Sequence, residues 1–406
     1  MPHPLRDRYC IVGVGETEYS QHSGRSTRAM AVEAVKKAMD DAGLTPKDVD
    51  GLLSYHMGDS TPSTAVASDL GIRPNFFMDV SGGGSSTEAL IGLAMGAIEV
   101  GMCHTVAIYR SMNGYSQVRI GGTGVRAAAP LSGSALLTRP YGLISPLQQF
   151  AFAFTRHMME YGTTNEQLAM VKVVHSRHAS ANPKAFKKNP VSVEDVLNSR
   201  WIVKPVAHLL DCCLETDNAT CIIVTSAERA RTLRQRPIYI MAVQGRGTRP
   251  FPDNPWAEAP ITRIGGTYIA PRIFELAGVG PEDVDITGCY DAFTFTVVLQ
   301  FEAYGFCKVG EGGHYVSSGI IALGGKRPNN TSGGHLCEGY THGMNMVIEN
   351  VRQLRGQADD YCPGWREGRH TYHYGPGGCR QVKDPEIAMN MGWGTPGYGS
   401  ALILRR

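Results

Sequence analysis

Apolar positions along the chain recur with two periods, and the alternation between them predicts a layered α/β molecule. Short apolar runs at residues 9–14, 49–55, 105–109, 238–243 and 286–290 have the length and composition of strands. Between them, three- and four-residue spacing predicts helices over 27–42, 88–100, 146–161 and 293–304. Another follows Gly343, where Met344, Met346, Val347, Val351 and Leu354 mark one face. The pattern also repeats: AGLTPKDVD at residues 42–50 is matched by AGVGPEDVD at 277–285, identical at six of nine positions. Each copy ends a helix at a glycine, turns at a proline and enters an apolar strand. Two related halves follow, 1–235 and 236–406, dividing near 231–237. Gly- and Pro-rich stretches such as IGGTGVRAAAPLSG break the pattern between residues 111 and 198, which reads as an insertion.

Composition narrows the function classes. The 406 residues are 42% hydrophobic and only 19% charged, which implies much buried surface or a subunit interface. A homodimer is expected. A formal charge of +2, with no basic run longer than the AFKKNP stretch at Lys187, leaves no footprint for nucleic acid. The opening residues enter a strand without a charged-then-apolar leader, so neither export nor membrane insertion is expected, and the cytoplasm follows. Ten cysteines without C-x-x-C spacing read as thiols rather than disulfides or a metal site. The nearest approach to a ligand cluster is Cys362 and Cys379 flanking His370 and His373, and no metal is expected from it.

The most informative segment is NTSGGHLCEGYTHG, residues 330–343, four of whose fourteen residues are glycine. Such a backbone turns sharply and approaches a ligand closely. The segment resembles the Asn-x-x-Gly-Gly…Gly-His-Pro-x-Gly stretch of the thiolase family in its sterol-carrier and lipid-transfer branch, with Tyr340 in the histidine place and Thr341 in the proline place. CYDAFTFTVVLQFEAYGFC, residues 289–307, resembles the family's His-Asp-x-Phe segment, with Tyr290 for the histidine, then Asp291 and Phe293. DVSGGGSSTEALIGLAMGAIEVGMCHTVAIY, residues 79–109, resembles the strand, turn and buried helix that carry the acylated cysteine, whose place falls on Gly83. LETDNATCIIVTS and GWGTPGYGSALIL fit the same family. The resemblance implies the thiolase fold: two pseudo-twofold related mixed-sheet halves with buried helices, and the insertion as a loop domain over an acyl-CoA. There Phe150, Phe152, Phe154, Met158 and Met159 could line an acyl channel.

A thiolase needs a thiolate, an activating histidine and donors for two oxyanions. Here the thiolate and both histidines are gone, and Ser81, Ser85 and Ser86 have no adjacent base to activate them. Two phenols beside an emptied nucleophile place suit retro-aldol cleavage of a β-hydroxyacyl-CoA without a covalent intermediate. Tyr340 is assigned as base on the β-hydroxyl and Tyr290 as acid on the enolate side, with the roles exchangeable. His342 and the following helix start are candidates to help Tyr340 ionise, since a free phenol titrates near pH ~10. The backbone of Gly83 and of the 392–399 loop, at Gly394, would hold the thioester oxygen. Asn330, Gly334, Asp291 and Phe293 complete the substrate-binding set.

The tyrosine pair is similar to the lipid-transfer-protein-like aldolases of bacterial steroid side-chain degradation. That resemblance implies a steroid acyl-CoA with a tertiary 17-hydroxyl as substrate, a 17-keto steroid and propionyl-CoA as products, no separate cofactor, and a partner with an OB fold and zinc ribbon. Two rivals stand beside it: a thiolase using Cys103 or Cys307 as nucleophile, and a non-catalytic acyl-CoA-binding subunit.

Overall fold

The computed structural model describes the chain except residues 1–2, 118, 120–134, 250–259, 359–371, 373, 377 and 395–396. Its strands are β1 (Tyr9–Glu16), β2 (Gly51–His56), β3 (Phe76–Ser81), β4 (Thr105–Asn113), β5 (Trp201–Val203), β6 (Ala207–His208), β7 (Asp217–Ser226), β8 (Ile238–Thr248), β9 (Ile286–Cys289), β10 (Ile387–Gly394) and β11 (Tyr398–Arg405). β5 and β6 form a small ribbon, and the rest make one sheet in the order β3-β2-β4-β7-β1-β8-β11-β10-β9.

The order carries a repeat. β1 runs antiparallel to β7, β7 antiparallel to β4, and β4 parallel to β2. In the second half β8 runs antiparallel to β11, β11 antiparallel to β10, and β10 parallel to β9. The two series meet where Cys10 pairs with Tyr239 and Ile11 with Ile238. The duplicated nonapeptide sits at equivalent points. The Thr27–Ala42 helix stops at Gly43 (φ 74°), and the Gly265–Ala277 helix stops at Gly278 (φ 66°). Each is followed by a single 3-10 turn, Pro46–Asp48 or Pro281–Asp283, and then by β2 or β9.

Alternation along the strands divides the core. Ile222 and Val224 of β7 face one cluster, with Ile11, Ile108, Ile240 and Leu402. Cys221 and Ile223 face the other way, against the Thr27–Ala42 helix. The first cluster also takes in Leu90 and Ile91 of the Ser86–Glu99 helix and Met344, Val347 and Ile348 of the Met344–Arg355 helix. These two helices are buried between strands of both halves, and their N-termini deliver Gly83 and Gly343 into the interior.

Within the insertion, Ser145 and Gln148 form a reciprocal cap around Pro146 that starts the Pro146–Tyr161 helix, and Gly162 ends it. Only part of its apolar face reaches a ligand space. Phe150 lines the main cleft, Phe154 lies in the core, Met158 packs against that core, and Phe152 and Met159 are 47% and 77% exposed. The expected channel of five side chains is therefore reduced to Phe150, joined by Leu147. The helix period turns Phe152 and Met159 away. The IGGTGVRAAAPLSG stretch, Cys362, His370 and His373 lie outside the described residues, while Cys379 is a buried thiol.

Candidate active site

Tyr290 leaves the end of β9. Its N–H donates to the Met391 carbonyl of β10 at 3.0 Å, and its carbonyl accepts from Thr296 Oγ1 and Gln300 Nε2 at 2.8 Å each. Both backbone groups are thus held inside the protein. Asn330, at φ 47°, clamps the preceding residue: Oδ1 accepts from Cys289 N–H and Nδ2 donates to Cys289 O, both at 2.9 Å. Asp291 accepts from the His335 N–H at 2.8 Å and pairs with His175 Nδ1 at 2.9 Å, so it anchors the loop bearing Tyr340 to the strand bearing Tyr290. A Cβ on Gly334 (φ 59°) would stand 2.2 Å from that carboxylate, which requires glycine twice over.

Tyr340 is held from the first half. Its N–H donates to Thr216 Oγ1 and its carbonyl accepts from Asn218 Nδ2, each at 3.0 Å. The two phenol oxygens then meet at 2.6 Å, with the residues 5% and 7% exposed. Both line a cleft of about 1500 Å³ together with Phe293, Phe150 and Leu147, while Lys187 and Lys188 stand exposed along the same cleft.

The glycines of the first half face this pair. A Cβ on Gly84 would meet Tyr290 Cε2 at 2.2 Å, so the ring occupies space that any side chain there would fill. A Cβ on Gly83 would meet His342 Cδ2 at 3.1 Å and Nε2 at 3.2 Å. His342 also packs edge-on to Tyr340, ring centroids 4.8 Å apart, so the space over Gly83 adjoins the phenols.

Burial governs the electrostatics. It pushes both phenols above their usual range, Tyr340 furthest, with Tyr290 and the Cys213 thiol adding to the shift; for Tyr290 the bond to Tyr340 opposes it. Neither is a phenolate at neutral pH, and a shared proton makes them titrate as a pair. Burial and then Arg110 hold His342 well below the usual histidine range, so it cannot supply the positive charge expected to help Tyr340. His335 is lowered to about 4 by burial, against the pull of Asp291, and its Nε2 accepts from the Gly343 N–H at 3.0 Å.

Of the residues read from the sequence as substrate-binding, Phe293 lines the cleft, and Gly83 and His342 face each other beside the phenols. Asn330, Gly334 and Asp291 brace the frame instead. Gly394 closes onto Ser85, whose Oγ lies 2.9 Å from where its Cβ would stand. Ser86 Oγ is taken by Arg246 Nη2 at 2.5 Å. Cys103 sits behind Gly51, raised to about 11 by burial, and Cys307 packs on the core, raised to about 12; neither lines the cleft.

Sequence reasoning missed Thr216, Asn218, Arg110 and Cys213. The first two lie in LETDNATC, where an unexplained pair of polar residues at the head of an apolar strand was the available signal. Cys213 lines the cleft close enough to both phenols to oppose their ionisation. Burial raises its own pKa well above 9.0, so it stands as a neutral thiol.

The repeated sheet order, the two buried helices and the emptied glycine turn define a protein of the thiolase superfamily. Residues 259–368 match the thiolase C-terminal domain-like family. The chain is 39% identical over 359 residues to the 17-hydroxy-3-oxo-4-pregnene-20-carboxyl-CoA lyase of Mycobacterium tuberculosis, covering 87% of this chain and 92% of the relative. It is 40% identical over 354 residues to the steroid side-chain-cleaving aldolase of Thermomonospora curvata, covering 85% and 90%. A solved Ltp2-ChsH2(DUF35) aldolase superposes with a TM-score of 0.87 at 35% identity, over 99% of this chain and 98% of that one. Human mitochondrial 3-ketoacyl-CoA thiolase in complex with CoA shares the fold alone, with a TM-score of 0.67 at 14% identity, over 100% and 99%. Within the superfamily, the chain belongs to the steroid side-chain-cleaving aldolases. Among the described residues no helix is long and apolar enough to cross a membrane.

Proposed function

We propose that the protein cleaves the α–β carbon bond of a β-hydroxyacyl-CoA by a retro-aldol reaction run through the Tyr290–Tyr340 pair. The β-hydroxyl gives its proton to one phenol oxygen as its C–O bond becomes a carbonyl. The α–β electron pair moves to the α-carbon as a thioester enolate, which takes a proton from the other phenol. The 2.6 Å link lets the proton pass between the rings, so no buried phenolate need accumulate, consistent with both phenols being pushed up by burial. Tyr340 as base and Tyr290 as acid is one direction of this relay; the reverse reaction, aldol addition, runs it the other way. Protons and electrons balance within the substrate and the pair, so the step as written draws on no further cofactor.

By analogy with the relatives' names, the substrate is a steroid 17-hydroxy-20-carboxyl-CoA and the products are a 17-keto steroid and propionyl-CoA. Phe293, Phe150 and Leu147 offer the cleft an apolar wall for a ring system, and the exposed Lys187 and Lys188 offer cations to the CoA phosphates. The likeness to the Ltp2-ChsH2(DUF35) aldolase supports a partner protein, for which the family resemblance implies an OB fold and zinc ribbon. A homodimer accords with the edge strand β3, which carries exposed Phe77 and Met78 on a sheet edge. Nine free cysteines among the described residues accord with the cytoplasm.

The observation that carries the reading is the phenol pair itself, with the Tyr290 ring against Gly84, where a side chain has no room, and Gly83 beside it without a nucleophile. Incubation of the purified protein, with and without the partner, with a panel of β-hydroxyacyl-CoA thioesters tests it. Ketone plus a shorter acyl-CoA is expected; if the only product came from CoA-dependent thiolysis, the aldol reading fails.

A further inference from the structure

One buried cation is not used by the relay. Arg110 of β4 is wholly inaccessible, donating from Nη2 to Asp59 Oδ2 at 2.6 Å, from Nη1 to the Ser111 carbonyl at 2.7 Å, and from Nε to His342 Nδ1 at 3.3 Å. A guanidinium N–H can only donate, so Nδ1 must present its lone pair and the ring proton must sit on Nε2. Asp59 is fixed in turn by the Met57 N–H at 2.8 Å. The imidazole is anchored by its backbone too: His342 stands at φ 57°, and Tyr55 Oη donates to the adjacent Thr341 carbonyl at 3.0 Å.

Nε2 meets no acceptor among the described residues, and it faces the spot 3.2 Å away where Gly83 would carry a Cβ. The backbone N–H groups of Gly83 and Gly84, at the head of the Ser86–Glu99 helix, also have no acceptor among the described residues. The charged and titratable groups facing this imidazole are Arg110, Asp59, His335, Tyr340 and Tyr55, and burial with Arg110 keeps it uncharged. A neutral donor can hold an enolate oxygen without surrendering its proton, which leaves proton delivery to the phenols.

We propose that Arg110 is a positioning residue that locks His342 in the tautomer protonated on Nε2, and that this N–H binds the thioester oxygen in the space where a thiolase carries its nucleophile. The inference rests on the retro-aldol reading for its reaction, but the thioester contact can be measured apart from carbon–carbon cleavage. Nitrogen-15 NMR of the imidazole reads the tautomer, and deuterium uptake at the α-carbon of propionyl-CoA in D2O reads enolate stabilisation.

In the native protein the proton is expected on Nε2 without titration from about pH 6 to 9. His342→Leu should slow both deuterium uptake and cleavage by about 30-fold or more with KM within about threefold, while His342→Gln, which keeps an N–H, should stay within about tenfold of native. Because Arg110→Gln alone strands Asp59, the paired change Arg110→Gln with Asp59→Asn is the folding-tolerant probe. It should give mixed tautomers and lower kcat at unchanged KM. A proton on Nδ1 in the native protein, or His342→Leu retaining both rates within about threefold, overturns the proposal. Native protein that exchanges propionyl-CoA α-protons through His342 yet makes no ketone would sink the aldol reading and leave this one standing.

Discussion

The two halves of the molecule deliver equivalent turns to the same place and furnish them in opposite ways. In the first half, β3 runs through Gly82, Gly83 and Gly84 into the Ser86–Glu99 helix and presents no side chain. In the second, β9 is followed by Tyr290 and Asp291, and the loop from Asn330 to Gly343 adds Tyr340 and His342, each bonded into the frame. On the proposed reading, one turn contributes space and backbone N–H groups, and the other contributes the protons. A scaffold with twofold repeats can thus change reaction by emptying one turn and refilling the other, without altering the sheet.

The sharpest way to break this contrast is to strip the second turn of its hydroxyls. Tyr340→Phe and Tyr290→Phe should each lower kcat by about 100-fold or more with acyl-CoA binding little changed, measured by steady-state turnover and by titration calorimetry. A subunit that only binds acyl-CoA would show no turnover to lose. Refilling the first turn comes next: Gly84→Ala places a methyl 2.2 Å from the Tyr290 ring, so turnover should fall by about tenfold or more as the phenols part. Gly83→Ala meets the His342 edge at 3.1 Å and Met57 Sδ at 3.9 Å and should disturb the phenol pair less.

Smaller effects test the frame itself. Asn330→Ala removes both bonds to Cys289 and leaves its buried N–H and carbonyl unpaired, so thermal denaturation should show a loss of about 1–3 kcal/mol. In the first half, burial raises Glu88 from 4.5 to about 7, opposed by its bond from Ser400 Oγ. An acid whose folded pKa lies above its unfolded one binds its proton more tightly when folded, so stability declines as pH rises from about 4.5 to about 7. Glu88→Gln should therefore raise Tm at pH ~8 and change it little at pH ~4.

The periodicity and the duplicated nonapeptide sufficed for the repeat and for five of the nine strands of the large sheet, while β3, β7, β10 and β11 were not predicted from spacing. The Thr27–Ala42 and Pro146–Tyr161 helices end where their caps and glycines place them, because capping is local chemistry. Tyr290, Tyr340 and Gly83 could be singled out because a known pattern departs at those positions, and such departures need no coordinates. Thr216, Asn218, Arg110 and Cys213 were not, since each acts on residues distant in the chain and looks like an ordinary strand or loop residue in isolation. The same limit applies to Asn330 and Asp291: their place in the motif marks them as important, but only the fold shows which backbone groups they grip.

A covalent route would have to run through a cleft thiol, and Cys213 is the one whose charge both phenols feel. Intact-protein mass spectrometry during a single turnover with stoichiometric β-hydroxyacyl-CoA reads it, with ketone followed in the same sample. With a tyrosine relay, ketone forms while the protein mass stays unchanged, and Cys213→Ala behaves alike. An acyl adduct on Cys213 that forms and decays with the ketone would contradict it.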